Sequence, residues 1–204
     1  MRGSWRWLVA VGALACTSQD APPAKPAAKK ANPSAWKEVE TPVAVGKKLP
    51  CAQVIAADKI GAAVGYGLEV VDQSNRDPDA TSVCRLMTVK NPPPQKGKKE
   101  KLALEPGEEL ATVSVYCWYS FSVPEIKKRC TDAGEETSTD VGDISCLRKV
   151  PAGEHVRFVI TALEPDTRCK LVVNPGPANY DLALTTATAK ALVETIDKDS
   201  LKTR

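Results

Sequence analysis

The strongest alternation in the chain runs over 109–121, ELATVSVYCWYSF, where Ala111, Val113, Val115, Cys117 and Tyr119 interleave with Thr112, Ser114, Tyr116 and Trp118. Successive side chains of a strand point to opposite faces, so this period of two predicts a strand with one apolar and one polar–aromatic face. A longer period marks the last element. Leu182, Thr185, Thr186, Ala189, Leu192, Val193 and Ile196 recur at helical spacing and form one stripe of a long helix. Residues 51–64, CAQVIAADKIGAAV, predict a first helix that Gly65 and Gly67 end. A short strand at 68–72, the polar turn SNRDPDAT and a strand at 82–90, SVCRLMTVK, follow. The capping box Ser122-x-x-Glu125, with Pro124 in the first turn, opens a second helix that carries Ile126 and Cys130 to a stop at Gly134. Three more strands are expected at 143–150, 154–164 and 168–174, the first two joined by the turn Pro151-Ala152-Gly153.

The predicted order is α-βββ-α-βββ-α. Strands in runs, separated by single helices and tight turns, argue for an antiparallel sheet with helices packed on it, an α+β domain. KNPPPQKGKKEK, residues 90–101, interrupts the pattern with three prolines and predicts a solvated loop.

Charge divides the chain. Residues 17–50 hold six lysines against Asp20, Glu38 and Glu40, whereas residues 51–204 hold 20 Lys and Arg against 22 Asp and Glu. The globular part lacks the basic surface that phosphate backbones require, which argues against nucleic acid as a partner. Cysteine adds a compartment. Seven cysteines are many for a reducing cytosol, none stands in a C-x-x-C pair, and the single histidine is His155. Metal ligation needs closely spaced thiolates or several histidines, so no metal or cofactor is expected and disulfides in an oxidising compartment are.

The N-terminal residues MRGSWRWLVAVGALAC place Arg2 and Arg6 before an apolar run of nine residues, Trp7 to Ala15. That run is too short to span a bilayer and fits the core of a signal peptide over 1–15. Ala13-Leu14-Ala15 suits ordinary secretory cleavage; followed by Cys16, the same residues resemble a bacterial lipobox, whose cysteine is lipidated and begins the mature chain. Leu14 stands two residues before the cysteine, where the lipobox pattern has its Leu three before. Cysteine arithmetic favours the lipid: without Cys16 an even six remain, Cys51, Cys84, Cys117, Cys130, Cys146 and Cys169. Residues 16–50, rich in Ala, Pro and Lys, then read as a flexible tether to the membrane, and 51–204 as one disulfide-containing domain.

Six cysteines allow fifteen connectivities. The order of elements ranks Cys51–Cys84, Cys117–Cys130 and Cys146–Cys169 first: the first would pin helix to sheet within one block, the second flanks the turn into helix two, and the third would join two strands of the second block. LPCAQVIAADKIGAAVG, a later SVCRL, then VGDISC and a terminal amphipathic helix resemble a bacterial lipoprotein domain of unknown function found in actinobacterial envelopes. That resemblance implies an envelope location and a bond between a helix-opening and a strand cysteine, here Cys51 and Cys84. It brings no active site with it.

Candidate chemistry is sparse. His155 follows Glu154 with no G-x-S-x-G or H-E-x-x-H motif to give it a partner, and reads as an incidental surface residue. Glu108-Glu109 and Glu135-Glu136 sit beside turns and read as solvated. Lys90, Lys96, Lys98, Lys99 and Lys101 read as a solubilising loop, with anionic envelope polymer or lipid head groups as the alternative. Tyr116 and Trp118 are the candidate binding patch, unless a helix covers their face. The expectation is an exported, membrane-anchored envelope protein, on the outer membrane if the cell is Gram-negative, acting as a non-enzymatic binding or assembly module with a protein or envelope polymer. An envelope hydrolase with an unrecognised site is the alternative.

Overall fold

Alternation on the third strand divides the molecule into two faces. The computed structural model describes residues 42–90 and 104–202. Strands β1 (Gly67–Asp72), β2 (Ser82–Lys90), β3 (Glu109–Tyr116), β4 (Glu136–Ser138), β5 (Ile144–Ala152), β6 (His155–Leu163) and β7 (Lys170–Pro175) form one sheet in the order β1-β2-β3-β7-β6-β5-β4. Every pairing is antiparallel, as expected for an α+β domain. Val113 lies opposite Cys84 on β2 and Val173 on β7, and Leu171 and Val173 lie opposite Ala162 and Ile160 on β6. These residues share one face and are buried in the main core.

Helices cover that face. α1 (Cys51–Val54) and α2 (Ala57–Val64) come before the sheet, and α4 (Leu182–Thr195) and α5 (Lys198–Leu201) after it. Ile60, Leu192, Ile196 and Leu201 are each at most 2% exposed and join the strand residues in one apolar cluster. The predicted stripe of α4 holds, with Thr185, Ala189 and Leu192 buried; Leu182, at its first residue, stays 38% exposed. On the opposite face α3 (Val123–Asp132) closes a smaller cluster of Phe121, Ile126, Cys130, Ile144, Cys146 and Leu163.

Local details depart from the sequence pattern for physical reasons. The helix expected over 51–64 breaks at Ile55, whose backbone is extended; Val54 and Ile55, adjacent β-branched residues, both enter the core there. Gly65 ends α2 in the left-handed conformation at φ 77°, a geometry that suits glycine. β4 was absent from the expected order because Glu136-Thr137-Ser138 carries no apolar residue. β3 stops at Tyr116, since Cys117 N donates to Thr81 Oγ1 at 2.8 Å instead of continuing the ladder. The capping box forms by half: Ser122 accepts from Glu125 N at 3.3 Å, while the Glu125 carboxylate takes Arg129 at 2.9 Å. Packing also begins before Cys51. Val43 and Leu49 are 4% and 1% exposed in the main core, within the stretch expected to be tether.

Cys51 bonds Cys84 as expected, but the other two bridges differ: Cys117 bonds Cys169 and Cys130 bonds Cys146. The sheet order is the reason. β3 and β7 are neighbours, with Tyr116 opposite Lys170, so the residues just beyond and before them meet with Cα atoms 4.6 Å apart. Cys146 lies on the face that α3 covers, next to Cys130. The Cys117–Cys169 bridge spans 52 residues. Replacing both cysteines by Ala is expected to lower the unfolding free energy by about 4 kcal/mol, the loop-closure value. Urea denaturation of the oxidised protein measures it, and a loss under about 1 kcal/mol would refute the structural weight given to this bridge.

Candidate functional site

Three groups with shifted ionisation, Tyr116, Asp77 and Lys170, gather where β3 ends and β7 begins. Tyr116, the last residue of β3, shares its face with Thr112 and Ser114, away from the main core. Its hydroxyl donates to Asp77 Oδ2 at 2.8 Å, and Asp77 Oδ1 accepts the Asp79 amide at 2.9 Å. Lys170, across the ladder, holds Nζ 4.0 Å from the Tyr116 ring centroid and 5.2 Å from that of Phe121. The Arg129 guanidinium of α3 lies 5.9 Å from the same Phe121 ring. A cation over the face of an aromatic ring is held by the ring quadrupole.

Electrostatics follow from this geometry. Burial, then the Asp77 hydrogen bond and charge, raise the Tyr116 phenol from its ordinary 10.0 to about 12. Burial also acts to raise Asp77, but the Tyr116 hydroxyl, the Asp79 and Ala80 backbone and the Lys48 charge outweigh it and hold the carboxyl below its ordinary value. Lys170 is lowered by burial and by the Arg129 charge, against the pull of Asp77 and Glu125. The chemistry available is a fixed, partly desolvated ammonium beside a phenol whose proton is committed to a carboxylate.

Trp118 does not join Tyr116 on an open face. It is 6% exposed, its Nε1 donates to Lys47 O at 2.7 Å, and Lys48 Nζ lies 4.9 Å from its ring. Lys48 also donates to the carbonyls of Asp77 at 2.6 Å and Ala80 at 2.5 Å. Trp118 joins the main-core cluster and is met by residues 47–48, while the turn at Asp77 reaches Tyr116 and the long C-terminal helix packs on the main-core side of the sheet. Tyr119, expected on the apolar side, is 57% exposed because the strand has already ended.

The remaining candidates are scattered. His155 is exposed and stacks on Tyr180 with ring centroids 4.5 Å apart. Glu109 takes Arg85 at 2.8 Å and Thr112 at 2.6 Å, while Glu108 accepts the Glu105 amide at 2.8 Å. Glu135 and Glu136 pair with Arg148 and Lys149. Cys130, Glu135 and Cys146 bring possible ligand atoms within 4.8 Å of one another, but both sulfurs are joined in the disulfide. A cleft of about 230 Å³ opens between the β4–β5 edge and the start of α4, lined by Glu136, Asp140, Ser145, Leu147, Ile160 and Leu182. Cys16, Lys96, Lys98, Lys99 and Lys101 fall outside the described residues.

Sequence reading missed Asp77, Lys170 and Glu164. Glu164 is 2% exposed and accepts from the Asp166 amide at 2.9 Å and from the Thr167 amide and hydroxyl. This caps the β6–β7 corner, where Arg168 sits at φ 59° and pairs with Asp143. The only available signal was a charged residue in or beside an apolar strand, and it does not identify a partner. No family model matches the chain, and no curated protein or solved structure matches it.

Tyr116→Phe is expected to cost about 1.5–3 kcal/mol at neutral pH, the value of a hydrogen bond to a charged acceptor. Its second effect is on pH dependence. A phenol raised in the folded state adds stability that is fully present below the ordinary 10.0 and is lost as pH climbs through about 12. The gap between wild type and variant should therefore narrow above pH 10, as urea denaturation at neutral and alkaline pH would show. A gap that stays constant with pH would contradict the Tyr116–Asp77 assignment.

Proposed function

We propose that this protein is an exported, lipid-anchored component of a bacterial envelope and works as a non-enzymatic binding or assembly module. One observation carries the anchor. The six cysteines among the described residues form three disulfides, so Cys16 is the one cysteine of the chain outside that set. A lipid on its thiol removes an exposed reactive group from an oxidising space, and the apolar run before it supplies the export signal. No helix among the described residues is long and apolar enough to cross a membrane, so on this reading attachment falls to the acyl chains.

The binding role draws on how the fold uses its titratable groups. Glu164 caps its own turn, Asp72 accepts the Cys51 and Ser74 amides at 2.9 Å each, and Asp77 takes the Tyr116 hydroxyl. These carboxylates are saturated by donors of the fold, as in a scaffold that positions a surface.

Expressed from its full-length gene in a bacterium, the protein should enter the membrane fraction with an intact mass that includes acyl groups on Cys16. Cys16→Ala should shift the protein into the soluble fraction with all three disulfides formed. A mature wild-type chain that begins at Cys16 without acyl mass would overturn the anchor.

A further inference from the structure

Helix α3 is attached to the sheet by little apolar surface. Of its 10 residues only Ile126 and Cys130 are buried, whereas α4 buries five over 14. Its outward side is charged, and the pairs Lys128–Asp132 and Arg129–Glu125 lie within the helix, although Arg129 also reaches to 5.9 Å from the Phe121 ring centroid. The cluster beneath it is separate from the main core. The strand that follows, β4, has three residues and pairs only with β5. A single helix of this length is marginal in water without tertiary support. The Cys130–Cys146 bridge, joining residues 16 apart, is therefore the main hold on this segment.

We propose that α3 is a flap latched by Cys130–Cys146, and that a dithiol reductant opens it while the rest of the sheet stays folded. In the exchange, one reductant thiolate attacks a protein sulfur and forms a mixed disulfide; the second reductant thiol then displaces it. Cys130 and Cys146 gain two electrons and two protons and end as thiols, and the reductant leaves as its disulfide. The other bridges sit differently. All six bridged cysteines are buried, but Cys51, Cys84, Cys117 and Cys169 belong to the main core, whereas Cys130 and Cys146 belong to the smaller cluster under α3. Release of α3 bares Ile144, Leu163 and Phe121 beside Tyr116 and Lys170, an apolar and cationic surface that the oxidised form hides.

Hydrogen exchange on the full chain with Cys130→Ala and Cys146→Ala tests the latch. Amides of 123–133 should exchange about 100-fold faster, the loop-closure contribution of a bridge this short, through an opening with little urea dependence, while β2, β3 and β7 stay the slowest to exchange and open with the full urea dependence of global unfolding. Wild-type protection across α3, or exchange of α3 with the same rate and urea dependence as the central strands, overturns the proposal. Should the variant not fold, the wild-type protein supplies the test through graded dithiothreitol, alkylation and peptide mapping. Cys130 and Cys146 should be labelled first with the other four cysteines still bonded. Simultaneous release, or another bridge opening first, overturns it equally.

Discussion

The pairing of β3 with β7 is the constraint on which the rest of the structure depends. β1, β2 and β3 form one antiparallel run and β4 to β7 another, and among the described residues β3–β7 is the only ladder that joins them. Six residue pairs, from Ala111↔Pro175 to Tyr116↔Lys170, set the register. A slip by one residue would move Val113 and Val115 off the main core, where both are fully buried, and bring Thr112 and Ser114 in. The ladder is pinned at both ends. Cys117–Cys169 closes one, and at the other Gly176 passes so close to Glu109 that a Cβ would lie 1.8 Å from its carbonyl oxygen. Only glycine fits a backbone approach of that kind.

The Tyr116 cluster is a consequence of that register. Because Tyr116 and Lys170 are the last ladder pair, their side chains stand together on the face opposite the main core, and the turn that carries Asp77 folds over them. Lys48 then ties the same turn to Trp118 and to the upstream segment through three backbone carbonyls. Perturbed ionisation here reflects packing at a sheet end. This is why a cluster with shifted groups supports a scaffold reading more readily than an active site, even though strongly perturbed groups do concentrate at functional sites.

Periodic features were legible in the sequence, and contacts between distant segments were not. β2 over 82–90 and the long helix from Leu182 follow their patterns almost to the residue, because burial on one face writes itself into local spacing. Tyr116 and Trp118 looked like partners on one face because alternation was carried past the end of the strand. The side chain of Thr81, 36 residues upstream, is what ends it. Cysteine pairing failed for the same reason. Cys117–Cys130 and Cys146–Cys169 are near neighbours along the chain, but connectivity follows sheet order, and β3 beside β7 is a long-range fact with no local signature. Cys51–Cys84 succeeded because helix and strand of one block pack on each other.

The three bridges divide the structural work by layer. Cys51–Cys84 ties the first helix to the main-core face, Cys117–Cys169 ties the two strand runs together, and Cys130–Cys146 ties α3 to the opposite face. The first two reinforce regions that apolar burial already holds, with Val113, Val115, Leu171 and Val173 all at 0% exposure around them. There a covalent link adds chiefly by restricting the unfolded chain. The third stands where burial is thinnest, and its loss falls first on the local opening of one helix. All three bridges restrict the unfolded chain, and on the proposed reading the third also limits the local opening of one helix. What separates the two cases is how much apolar surface each bridged element buries by itself.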